Sequence, residues 1–276
     1  MIRYVLSALL LAAPAVAQTP AGVPEPLRGA WFGPDCTAPE SMLFVTPRAA
    51  VTLPMEGAAR MLRFVEIRDR APWTIGTGRG AEAPRLALRA EGEGLVTAAP
   101  SAKTRDDRLP GEAATETWRR CPGQPAAFAA MHGEGLAFLG ALERLEAACT
   151  GPADACIAAL VAVGDVSGDG ALGTAEIARL LRGAAWVMAA QEGGDGETLA
   201  AANAAGAISG LLAAHALVGS LDYDGDGKLS VAELRQDRGA LPMVVGDAAG
   251  RPFRTETVTD GAGFLRSLIE GMMGSR

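Results

Sequence analysis

The sequence predicts an α+β protein: a small antiparallel β-sandwich or barrel over residues 25–122, then an all-α domain over 123–276. Three observations predict it. Before residue 122 the chain is rich in Arg, Pro and Gly, and short apolar runs alternate with polar residues. After it the chain turns Ala-rich, with apolar residues at helical spacing. Within that second half, Asp165–Glu176 and Asp222–Glu233 repeat one pattern of oxygen-bearing residues.

The first 17 residues read as an export signal. Arg3 gives a positive start, Val5 to Ala13 is apolar, and Ala15-Val16-Ala17 fits the small-residue rule for cleavage after Ala17. The apolar run is too short to cross a bilayer, and no Cys follows it to carry a lipid anchor. Without Arg3, 24 of the 25 basic residues remain against 32 acidic ones, a net charge of −8. That balance disfavours nucleic acid and anionic membrane surfaces as partners. No membrane span is expected in the mature chain. Lys occurs at 103 and 228 alone, while Arg and Ala abound. This composition suggests a bacterial chain, so the expected location is periplasmic or secreted.

Six runs read as strands: Met42 to Val45, Ala50 to Leu53, Arg60 to Ile67, Pro84 to Arg89, Leu95 to Thr97 and Thr115 to Arg120. Pro47, Pro54, Gly57, Pro72, Gly78 and Gly80 punctuate them. Gly76-Thr77-Gly78-Arg79-Gly80 lacks the Gly-Lys-Ser/Thr of a phosphate loop and reads as a hairpin turn. Gly29-Ala30-Trp31 resembles the Gly-x-Trp opening of lipocalins over three residues. Trp31 and Trp118 read as core aromatics, with lining of a ligand site as the other reading.

Four cysteines, Cys36, Cys121, Cys149 and Cys156, in an exported chain predict two disulfides. Three connectivities are possible. Cys36–Cys121 with Cys149–Cys156 keeps each bond inside one predicted domain. A zinc site needs Cys-x₂₋₄-Cys spacing, which no pair here has.

In the second half, Phe128, Met131, Leu136, Leu139, Leu142 and Leu145 mark one broad helical face. Ile157, Leu160 and Val161 lead into the first acidic stretch; Ile177, Leu180, Leu181, Ala184 and Met188 follow it. Ile208, Leu211, Leu212, His215 and Val218 lead into the second, with Val231 and Leu234 after it. Gly193, Gly194 and Gly196 break the chain between the middle two helices. Residues 239–255 read as irregular. Phe264, Leu265, Leu268, Ile269, Met272 and Met273 predict a closing amphipathic helix over 258–273.

Each acidic stretch has oxygen side chains at positions 1, 3 and 5, Gly at 6 and Glu at 12, the spacing one Ca²⁺ ion needs from a continuous loop. The first set is Asp165, Ser167, Asp169, the carbonyl of Ala171, and Glu176. The second is Asp222, Asp224, Asp226, the carbonyl of Lys228, Ser230 and Glu233. Gly170 and Gly227 stand where the chain must turn with positive φ. Both stretches resemble the EF-hand family over residues 152–240. The resemblance implies two Ca²⁺ ions, flanking helices and a short β-bridge between Leu172 and Leu229. The loops start 57 residues apart (222 minus 165), so elongated inner helices must fold back as a hairpin to pair them. Four ligand carboxylates against three make the second loop the expected tighter site.

No catalytic constellation stands out. His132 and His215 are the two histidines, both read as structural; Gly-x-Ser-x-Gly and His-Glu-x-x-His do not occur. Asp106-Asp107 among Lys103, Arg105 and Arg108 reads as a solvated loop. The expected function is therefore that of an exported, non-enzymatic calcium-binding protein. The alternative is a small-ligand carrier or protease-inhibitor-like β-domain with a calcium-stabilised helical appendage, its partner a protein or an apolar ligand.

Overall fold

The computed structural model describes residues 22–80 and 82–236. The signal at 1–17, the 239–255 segment and the 258–273 helix lie outside the described residues. Strands come first and helices second. Among the described residues nine strands form one antiparallel sheet: β1 (Gly29–Gly33), β2 (Ser41–Val45), β3 (Ala49–Pro54), β4 (Arg60–Arg63), β5 (Glu66–Arg70), β6 (Trp73–Thr77), β7 (Arg85–Glu91), β8 (Gly94–Ala98) and β9 (Thr115–Arg119). Their spatial order is β4-β3-β2-β1-β9-β8-β7-β6-β5.

The sheet curls because its two outer strands are consecutive in the chain. Phe64 N–H donates to the Arg48 carbonyl beside β3, and Val65 N–H to the Thr77 carbonyl at the end of β6, each at 2.8 Å. The segment read from sequence as one strand, Arg60 to Ile67, thus changes partner midway and divides into β4 and β5. Strand β6 falls where turns were expected. Gly76 lies inside it because the Phe64 ring sits where a Cβ would be, 2.4 Å away. The turn starts later, at Gly78, whose N–H donates to the Pro84 carbonyl.

Alternation along the strands gives the sheet two apolar faces. The concave face gathers side chains from the whole sheet: Trp31, Leu43, Phe64, Leu88, Leu95 and Trp118, with Val23 and Leu27 from the entering chain. Both indole N–H groups are satisfied, Trp31 by the Leu27 carbonyl (3.0 Å) and Trp118 by the Thr97 hydroxyl (2.8 Å). Arg120 lies over the Trp31 ring at 4.2 Å. The disulfide Cys36–Cys121 joins the β1–β2 loop to the residues after β9. On the opposite face, Phe32, Met42, Val51 and Leu53 pack against the helices.

The helices are α1 (Ala126–Cys149), α2 (Ala153–Gly164), α3 (Thr174–Gln191), α4 (Gly196–Leu221) and α5 (Val231–Arg235). Sheet and helices share one core, in which Phe128, Leu139 and Leu142 of α1 and Trp186 and Val187 of α3 meet β1–β3. Glycines let α1 and α3 approach closely. A Cβ on Gly135 would lie 2.1 Å from the Trp186 ring, and one on Gly183 2.5 Å from Phe138. Polar links fix the same junction: Arg63 pairs with Glu146, and Glu143 accepts from the Thr46 hydroxyl and the Arg48 N–H. Burial raises the Glu143 carboxyl against those donors. Cys149–Cys156 braces the corner between α1 and α2.

His132 is buried, its ring between Phe128 (5.8 Å) and Trp186 (5.7 Å). Burial depresses its pKa from 6.5 to about 4.

Helix α4 presents a different face from the one its sequence pattern suggests. Ile208 (70 % exposed), Leu211, Leu212 and His215 are exposed, and of that stripe Val218 is buried. The inward face is Gly206, Gly210, Ala214 and Val218. Small residues win because α3 and α4 pack backbone to backbone. A Cβ on Gly206 would lie 3.2 Å from Arg182 Cα, and one on Gly210 3.3 Å from the Ala178 carbonyl. By length and composition alone α4 could also cross a membrane; 22 % of its most apolar stretch is buried.

Candidate metal centre

The α3–α4 hairpin returns the two acidic stretches to one end of the helices. After α2, residues 165–170 loop into β10 (Ala171–Gly173); after α4, residues 222–227 loop into β11 (Lys228–Ser230). The two short strands pair antiparallel, with Leu172 opposite Leu229 and Gly173 opposite Lys228. Both leucines are buried with Ile157, Ile177, Ala214 and Leu234. That cluster fixes the loops back to back despite 57 intervening positions (222 minus 165).

Inside each loop, backbone N–H groups converge on the first and last carboxylates. Asp165 accepts from Gly168 (2.6 Å), Asp169 (3.2 Å) and Gly170 (2.7 Å). Asp222 accepts from Gly225 (2.7 Å), Asp226 (3.1 Å) and Gly227 (2.8 Å). Glu176 accepts from Val166, Ser167 and Gly173, and Glu233 from Tyr223, Asp224 and Ser230. The equivalence is position for position. Gly170 and Gly227 have φ of +85° and +82°, and the glycines two residues earlier share that conformation: Gly168 at +77° and Gly225 at +78°. Sequence reasoning passed over those two, although glycine at position four of both loops was a visible signal.

These N–H groups set the electrostatics. The Gly170 N–H foremost holds Asp165 below the usual carboxylate range. For Glu176 burial pushes the other way, but the N–H groups of Gly173, Ser167 and Val166 outweigh it and the carboxyl is lowered. Glu233 is lowered to about 2, chiefly by the N–H and hydroxyl of Ser230. All three are anionic at neutral pH.

The donor set consists of oxygens. Carboxylate oxygens of Asp222, Asp224 and Asp226 come within 4.8 Å of one another. That is close enough for a single cation to reach all three carboxylates. In the first loop Ser167 takes the middle place, and its hydroxyl donates to Asp165 at 3.2 Å. The side chains of Ser230 and Lys228 make contacts of their own. The Ser230 hydroxyl donates to Glu233 (2.8 Å) and accepts from its N–H (3.2 Å), capping α5. The Lys228 ammonium reaches across to Asp169 in the first loop, a contact not legible from either loop's own spacing. The backbone groups of Ala171 and Lys228 sit in the paired strands.

Comparisons with protein-family models, with curated proteins and with solved structures give no match to this chain.

Proposed function

We propose that this is an exported, non-enzymatic calcium-binding protein of the EF-hand kind, each loop taking one Ca²⁺. The observation that carries the reading is the equivalence of the two loops. Both set an all-oxygen donor group on a backbone cradle, closed by a glutamate from the next helix. Asp165, Ser167, Asp169, the Ala171 carbonyl and Glu176 serve one ion. Asp222, Asp224, Asp226, the Lys228 carbonyl and Glu233 serve the other, with Ser230 at its rim.

The ions brace the helical half. Glu176 and Glu233 stand in the first turns of α3 and α5, so an ion on either ties a loop to the helix after it. Two disulfides suit an oxidising compartment, and the first 17 residues supply the export signal to reach the periplasm or medium. Extracellular calcium near millimolar keeps even weak sites loaded, which favours a structural ion over a switching one. A carrier role for the sheet is the second reading. The filled concave face, with Trp31 and Trp118 each 3 % exposed, favours a brace instead.

Calcium at 100 times its dissociation constant adds about 2.7 kcal/mol per site. With both sites loaded that is about 5 kcal/mol, so the melting temperature is expected to fall by about 10–20 °C when a chelator replaces calcium. An unchanged melting temperature contradicts structural loading.

A further inference from the structure

We infer that Lys228 makes the two loops fill in order, by holding a carboxylate of the first loop and weakening calcium there. This rests on the calcium reading above. Lys228 stands in β11 opposite Gly173 of β10, at the seam between the loops. Its backbone N–H donates to Asp226 of the second loop at 2.8 Å. Its side chain crosses the seam, and the ammonium donates to Asp169 of the first. A lysine ammonium in partly solvated surroundings is cationic at neutral pH. Among the described residues no other ion pair falls on a loop carboxylate.

The charge count is unequal. The first loop offers three ligand carboxylates, Asp165, Asp169 and Glu176, and one of them is shared with an ammonium. The second offers four, Asp222, Asp224, Asp226 and Glu233. An ion entering the first loop draws on Asp169 and meets the ammonium beside it. Repulsion between charges of +2 and +1 about 6 Å apart, at the dielectric constant of water, weakens binding by about tenfold. The pair is partly exposed, at 42 % for Lys228 and 35 % for Asp169, so salt screens the effect. The second loop therefore fills first.

The test isolates the first loop with Glu233→Gln and titrates calcium by calorimetry, with and without Lys228→Gln. Lys228→Gln is expected to tighten the first loop about tenfold at low salt, and by a smaller factor in 1 M salt. Lys228→Arg, which keeps the charge, leaves that loop weak. If the first loop binds calcium but Lys228→Gln leaves its affinity unchanged or lower, the ordering role is wrong and the calcium reading stands. If no protein in the set takes up calcium, wild type included, both fall together.

Discussion

Replacing Cys36 and Cys121 together by serine is expected to lower the unfolding free energy by about 4–5 kcal/mol, the largest loss any single crosslink here can give. The bond spans 85 positions, so cutting it frees a long loop in the unfolded chain, and the entropy of loop closure grows with length. It also ties together the concave core. Arg120, beside Cys121, lies over Trp31 and donates to the carbonyls of Pro26 and Arg28, pinning the entering chain under the sheet. Cys149–Cys156 spans 7 positions, and its removal is expected to cost about 2–3 kcal/mol. Urea unfolding of both serine pairs against the oxidised wild type gives the comparison. Equal losses, or a loss below 1–2 kcal/mol for the long crosslink, contradict this account.

Acidification is expected to weaken the fold through His132 by up to about 3 kcal/mol between pH 6.5 and pH 4. Unfolded, this histidine takes a proton near pH 6.5; folded, only near pH 4. Between those values the unfolded state holds more protons, so stability falls as pH falls. The cause is physical exclusion of charge. Phe128 and Trp186 flank the ring, its Nδ1 has no hydrogen-bond partner, and the residue is 4 % exposed. Protonation there creates a buried cation without a counter-ion. His132→Leu removes the titration, and its packing cost recurs at every pH. The wild type should therefore lose about 2–3 kcal/mol more than the variant between pH 7.5 and pH 4.5, read by urea unfolding. Parallel losses would show that His132 titrates as though solvated.

What could be read from the sequence was local. Each acidic loop is built from twelve consecutive residues, so the turns at Asp165 to Glu176 and Asp222 to Glu233 are legible without any tertiary knowledge. The pairing of Cys36 with Cys121 and Cys149 with Cys156 followed from the change of composition between the halves. What could not be read depended on distant partners. Gly76 looks like a turn residue but serves β6, because the Phe64 ring comes from elsewhere in the chain to cover it. Helix α4 is apolar on nearly every side, so hydropathy cannot choose its inward face. The glycines that fit against Arg182 and Ala178 choose it, leaving Ile208 and Leu212 outside. The reach of Lys228 to Asp169 joins positions 59 apart, which no single-loop pattern encodes.

The central claim is that two separate stretches of this chain each hold one calcium ion. Equilibrium calcium binding to the processed protein, beside its Glu176→Gln and Glu233→Gln variants, tests it most directly. The account predicts two ions for the wild type and one tight site lost in each variant, the tighter in Glu233→Gln. Uptake of no calcium at millimolar concentration, or two ions retained by either variant, would contradict it.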